Sequence, residues 1–252
     1  MDLELAGRTA LVTGSSRGIG LAIANVLHAE GCQVAINGRD EASVASATAQ
    51  LSGTIPLVGD VTLPSVASNI VAEATKKLGG CLDILVCNVG SGKSVPPGKE
   101  THQEWQRIFA LNLWSTTNMV EATCDVLSAS KGVVVCVSSI CGIEVVPGAP
   151  VTYSAAKAAL NAYVRGVARP LGRLGIRINA VAPGNILFEG SVWDTKVCED
   201  AEAVQAILDE DVALARLGKP HDVAELVAYL ASPRASFMTG GVWTLDGGQV
   251  RS

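Results

Sequence analysis

Residues Leu11–Gly20, "LVTGSSRGIG", run from an apolar strand-length segment through a glycine turn into a helix-forming stretch, and they decide the fold. Glycine at 14, 18 and 20 allows positive φ in the turn and close backbone approach to a ligand. The helix that follows offers unpaired N–H groups and a partial positive charge, which suit a pyrophosphate. A glycine trio alone marks only a turn, but directly after a strand and at the opening of a helix it points to dinucleotide binding. Gly14, Ser16, Arg17, Gly18, Ile19 and Gly20 are therefore the first candidate cofactor-binding residues.

Outward from this turn, strand-length apolar runs recur: "RTALVTG", "CQVAING", "TIPLVGD", "LDILVCN", "GVVVCVSS", "IRINAVAPG" and "VWTLDGG". Near-continuous apolarity suits strands covered on both faces. Between them, Gly18–Glu30, Glu41–Leu51, Pro64–Leu78, His102–Leu127, Thr152–Leu174 and Pro220–Leu230 read as helices. Strand–helix alternation of this kind predicts an α/β, three-layer, doubly wound Rossmann fold with a parallel seven-stranded sheet. No linker or composition break divides the chain, so residues 1–252 are expected to form a single dinucleotide-binding and catalytic domain. Two long loops, "GSGKSVPPGKE" and Pro183–Val197, follow carboxyl ends of strands, where open α/β sheets bind ligands. Apolar Ile186, Leu187, Phe188 and Trp193 in the second loop suit either a lid over an apolar substrate or local packing.

Composition sets outer bounds. With 48% hydrophobic and 17% charged residues, the chain has material for a large core and does not read as disordered. A net charge of −5 argues against nucleic acid as a partner. No apolar stretch approaches a membrane span, and the start carries no pattern of a secretory signal. Seven scattered cysteines show no metal-ligand spacing, so a reduced, cytoplasmic protein without a structural metal is expected.

The second strand ends in "AINGRDE". An acidic residue there would bind the adenosine ribose and repel a 2′-phosphate. This chain instead has Gly38 and Arg39, and with Arg17 nearby two guanidiniums are available for a phosphate, favouring NADP(H) over NAD(H). Asp40 is the alternative ribose partner. Asp60, after the third strand, suits either an adenine contact or a helix cap, with Val61 beside it.

At the chemical end, Tyr153 and Lys157 lie four apart in "YSAAK" and so share a helix face. A neighbouring ammonium favours the phenolate, making the phenol a plausible acid–base group for a carbonyl or alcohol oxygen. Ser139, ending the fifth strand, is placed to hydrogen-bond the same oxygen, with Ser138 the alternative.

Together these motifs resemble the short-chain dehydrogenase/reductase family over nearly the whole chain, in the branch similar to 3-oxoacyl-carrier-protein reductases. Thr13, Gly14, Gly18 and Gly20 match its glycine motif, and "CNVG" resembles its segment after the fourth strand, with Asn88 and Gly90. The resemblance implies Asn112, Ser139, Tyr153 and Lys157 as catalytic residues, with Asn112 supporting a proton relay and Lys157 holding the nicotinamide ribose and lowering the tyrosine pKa. It also implies Asp60 at adenine, and Pro183, Gly184 and Ile186 at the nicotinamide. Many members carry a threonine where this chain has Phe188, and the serine-to-tyrosine interval has one extra residue. The implied activity is hydride transfer between NADP(H) and a small-molecule carbonyl or secondary alcohol, in a homotetramer or homodimer. A 3-oxoacyl-carrier-protein reductase is the narrower alternative, and a non-catalytic nucleotide sensor the other.

Overall fold

Each expected strand forms. The computed structural model describes residues 2–251. Its strands are β1 Thr9–Val12, β2 Gln33–Gly38, β3 Ile55–Val58, β4 Ile84–Cys87, β5 Val133–Val137, β6 Arg177–Pro183 and β7 Val242–Leu245. They make one sheet of order β3-β2-β1-β4-β5-β6-β7, and every pairing is parallel. From β1 the chain winds outward through β2 and β3, then returns to β4 on the other side of β1. The reversal opens a crevice beyond the carboxyl ends of β1 and β4, which is where the glycine turn lies.

Alternate residues of each strand feed opposite layers. On β1, Ala10 and Val12 pack with α1 (Gly18–Ala29), α2 (Glu41–Gln50) and α9 (Pro220–Ala231). Leu11 faces the other way, toward α3 (Pro64–Lys77), α5 (Ser115–Ser130) and α6 (Val151–Arg173). Leu11, Ile36, Ile84 and Leu85 are fully buried, each worth about 1.5–3 kcal/mol relative to exposure. This two-sided burial explains the unbroken apolar central strands; the edge strands β3 and β7 are part-exposed instead.

Two expectations are corrected. The segment His102–Leu127 is not one α-helix: α4 (His102–Phe109) passes through a π-helical turn, Ala110–Trp114, into α5. The wider turn holds the buried Asn112, whose amide donates to the Ile108 carbonyl. Pro183–Val197 is not wholly a loop either. Ser191 caps α7 (Val192–Glu199), and Asp200 caps a helix that was not anticipated, α8 (Ala201–Asp211). Trp193 and Val197 pack against Val204, Leu208 and Val212, so local packing accounts for them. Phe188 packs instead toward the main core.

Candidate active site

The glycine turn is held by polar side chains from neighbouring strands. Asn88 donates through Nδ2 to the carbonyls of Thr13 (3.1 Å) and Gly14 (2.9 Å), tying the end of β4 to the turn. Asn37, which the sequence reading passed over, donates to the carbonyls of Leu57 and Gly59 and receives the Gly14 N–H. Its own N–H donates to Ser15 Oγ, 3.0 Å away. Gly14 and Gly18 adopt φ of +60° and +58°. A Cβ on Gly20 would come within 2.5 Å of Asn88 Nδ2 and 2.8 Å of Ser15 Cα, so α1 packs too closely on the turn for a side chain. No side chain caps the amino end of α1, which begins beside Ile19 and Gly20.

The two arginines have different neighbours. Arg39 pairs with Asp60 at 3.6 Å, whereas the Arg17 guanidinium lies beside Gly190, where a Cβ would be 3.6 Å from Nη1. Asp40 is occupied as the cap of α2, accepting from the Ser43 N–H. Asp60 does not cap α3, whose N-cap is Leu63; it closes a local turn by accepting from Thr62. Burial pushes the Asp60 carboxyl up, but the Thr62 hydrogen bonds and Arg39 outweigh it and leave it below its usual value. The Val61 carbonyl accepts from Asn118 of α5. Ser16 stands against Gly38, its Oγ 3.2 Å from where a Cβ would be.

On α6, Tyr153, Lys157 and Asn161 recur at four-residue spacing along one face. Lys157 is 3% exposed, and its ammonium donates to the Val137 carbonyl at 2.8 Å, lying 5.9 Å from the Tyr153 ring centroid. Burial lowers the Lys157 ammonium to about 8. Burial also pushes the Tyr153 phenol up to about 12, with its hydrogen bond to Ser139 pulling the other way. Desolvation is thus the larger effect on the phenol. Ser138 is occupied elsewhere, donating to Asn161 Oδ1 at 2.6 Å, while Asn161 donates on to the Gly142 carbonyl. That bridge leaves Ser139 as the serine facing the phenol. Asn161 had no motif to announce it beyond its place eight residues after Tyr153.

Asn112 Oδ1 accepts from the Ser91 N–H at 3.0 Å. A Cβ on Gly90 would lie 2.8 Å from that Oδ1 and 3.1 Å from Lys157 Nζ, so Gly90, Asn112 and Lys157 converge. Beyond Ser91, the loop is pinned again. Ser94 Oγ donates to Glu104 at 2.7 Å and shares a 2.7 Å hydrogen bond with Thr152, the neighbour of Tyr153. Arg107 holds Glu104 through two nitrogens and keeps its carboxyl low, at about 2, with the Ser94 bond helping. Pro183 ends β6, and the Gly184 N–H donates to Leu245. Ile186 bridges Gly218 through the peptide groups of its neighbours, Asn185 and Leu187, so its own face away from that bridge.

A hydroxyl pair beside a buried ammonium, at the mouth of a dinucleotide-type crevice, is equipped to exchange a proton with a carbonyl or alcohol oxygen. The family profile described as enoyl-(acyl carrier protein) reductase matches residues 14–249. L-fucose dehydrogenase of Mus musculus is 32% identical over 245 residues, covering 96% of this chain and 88% of its own. The 3-oxoacyl-(acyl-carrier-protein) reductase of Rickettsia bellii is 32% identical over 252 residues, 98% and 99% of the two chains. Among solved structures, L-sorbose reductase of Gluconobacter frateurii, complexed with NADPH and L-sorbose, superposes with a TM-score of 0.93 at 26% identity over 100% of both chains. The chain belongs to the short-chain dehydrogenase/reductase family. It is an oxidoreductase acting on CH–OH and C=O groups.

Proposed function

We propose that the chain, working as one unit over residues 1–252, reduces a small-molecule ketone with NADPH, or oxidises the matching secondary alcohol with NADP+. The observation that carries this reading is the convergence on α6 of the half-buried Tyr153 phenol with the buried Lys157 ammonium, 5.9 Å from its ring and held by the Val137 carbonyl, beside Ser139 at the end of β5. The dinucleotide fits the residues present: the amino end of α1 has no side-chain cap, and Gly14 and Gly18 hold positive φ in the turn that leads into it. In this reading Gly14, Ser16, Arg17, Gly18, Ile19 and Gly20 hold the diphosphate and the phosphorylated ribose. Asp60 and Val61 meet the adenine; Asn88, Gly90, Pro183, Gly184 and Ile186 flank the nicotinamide end. When bound, the cofactor supplies or accepts the hydride.

Tyr153 passes its proton to the oxygen that gains negative charge, and Ser139 donates a second hydrogen bond to that oxygen. Lys157 holds positive charge under the phenol as its proton leaves, while also reaching the nicotinamide ribose. Asn112 fixes the loop backbone at Ser91 and supports proton supply toward Lys157.

NADP(H) is preferred because no free carboxylate stands at the ribose corner: Gly38 ends β2, Asp40 is engaged in its cap, and Arg39 is exposed enough to turn toward a phosphate. The NADPH complex of the sorbose reductase supports the same choice. The exposed Trp114, beside the half-buried Trp105 and Phe109, suits association with a second copy of the chain, as a homodimer or homotetramer. Seven unbridged cysteines suit a cytoplasmic location.

The deciding experiment is turnover of ketoses, other ketones and 3-oxoacyl thioesters by the purified protein with each nicotinamide. Oxidation of NADPH at a kcat/KM about tenfold or more above that for NADH, reversed by Arg39→Asp, is the expected result. Better use of NADH, unmoved by Arg39→Asp, would overturn the cofactor preference. A thioester turned over faster than every ketone would select the acyl-carrier reading, in keeping with the Rickettsia relative.

A further inference from the structure

The glycine turn carries an unexpected occupant. A Cβ on Gly18 would meet the Phe188 ring at 2.5 Å from Cε2, 2.8 Å from Cδ2 and 3.0 Å from Cζ. The ring thus lies directly against Gly18, the first residue of α1, where the helix has no side-chain cap. Its backbone is delivered there by a tight local turn. The Phe188 N–H donates to Ser191 Oγ at 3.3 Å, and the Ser191 N–H donates back to the Phe188 carbonyl at 2.9 Å. Gly190, at φ +74°, completes the turn beside the Arg17 guanidinium. The segment 188–190 therefore touches both Gly18 and Arg17, two of the residues that the proposed reading gives to the cofactor.

We propose that Phe188 determines the affinity and rate of dinucleotide binding, because its ring competes with the cofactor diphosphate for the face of Gly18. The inference rests on the dinucleotide-binding reading of the glycine turn. A benzyl side chain offers no hydrogen bond to a phosphate oxygen, and contact between the ring and Gly18 excludes an anion from the same face. The half-buried ring gains van der Waals contact and burial by packing against the core layer of α1 and α9. Binding must first move it, so apparent affinity is reduced by the fraction of molecules in which Gly18 is clear. Ser191 starts α7, so departure of the ring also shifts the entry to that helix. Cofactor entry is thereby coupled to the chain segment that leads out of β6.

The test is stopped-flow binding of NADPH to the full chain, followed by nicotinamide fluorescence, for wild type, Phe188→Ala and Phe188→Leu. In wild type the observed rate should level off with rising NADPH, as movement of the ring becomes limiting. In Phe188→Ala it should rise linearly, with Kd lowered about tenfold, and Phe188→Leu should fall between. Phe188→Leu retains apolar packing, so the comparison survives if the alanine variant folds poorly. Equal or weaker binding by the folded variants, with the same concentration dependence as wild type, would overturn the role of Phe188 and leave the dinucleotide reading standing. Failure of all three proteins to bind either NADPH or NADH would overturn that reading and this inference with it.

Discussion

The pH dependence of ketone reduction follows from two titratable groups on α6, the buried Lys157 and the half-buried Tyr153. Lys157 is charged below its value of about 8 and loses its proton as pH rises through it; Tyr153 keeps its proton up to about 12. The phenol is therefore not the group whose titration limits reduction in the ordinary range. As Tyr153 gives up its proton, the ammonium beneath it favours the phenolate that forms. With the lysine at about 8, the charged fraction is roughly one half at that pH and about one in eleven one pH unit higher. The reductive kcat, measured by NADPH oxidation at saturating ketone, should thus fall about tenfold between roughly pH 7 and pH 9. The sign is that of a base lowered by burial: activity is present in acid and lost toward alkali. Lys157→Arg should remove this limb, since a guanidinium stays charged, although the fork will not fit the Val137 carbonyl as the ammonium does. A reductive rate that is flat to about pH 10 in wild type would refute the reasoning, because Lys157 would then either retain its ordinary value or be dispensable as a cation.

Two further outcomes test the site and its frame. Tyr153→Phe removes the proton donor while the Ser139 contact with the Cys141 N–H remains, so kcat should drop by about 10²–10⁴ with the Kd for NADPH little changed; near-wild-type turnover would exclude the phenol as the acid. Gly20→Ala would drive a methyl group into the Gly14 carbonyl and Asn88, costing about 1–3 kcal/mol. That cost should read as a lowered Tm together with weakened NADPH binding, and an unchanged melt would show that the turn relaxes freely.

Much of the fold was legible because local chemistry repeats. The central strands, buried on both faces, must be apolar throughout and stood out in the sequence; the edge strands β3 and β7 are part-exposed but short and apolar enough to be read, and alternation with helices pointed to a parallel sheet. Helix boundaries were less legible. The π turn around Asn112 depends on an amide finding Ile108 and Ser91, and no periodicity encodes that. The helices α7 and α8 rest on caps at Ser191 and Asp200 and on a small cluster of their own, which the apolar pattern of the region did not separate from a lid.

For the site, the sequence by itself determined which groups are available: a glycine turn after β1, a phenol and an amine sharing one helix face, and serines at the end of β5. Those follow from spacing along regular backbone, which the chain's own geometry enforces. The family resemblance already favoured Ser139 over Ser138, and the tertiary structure added what occupies Ser138, whose hydroxyl donates to Asn161. Packing likewise made desolvation the largest influence on the Tyr153 phenol. It also decided that Arg17 and Arg39 point to different partners, and that Phe188 rests on Gly18. Each of these depends on distances between segments remote in sequence, where burial and competition for hydrogen bonds outweigh any local preference.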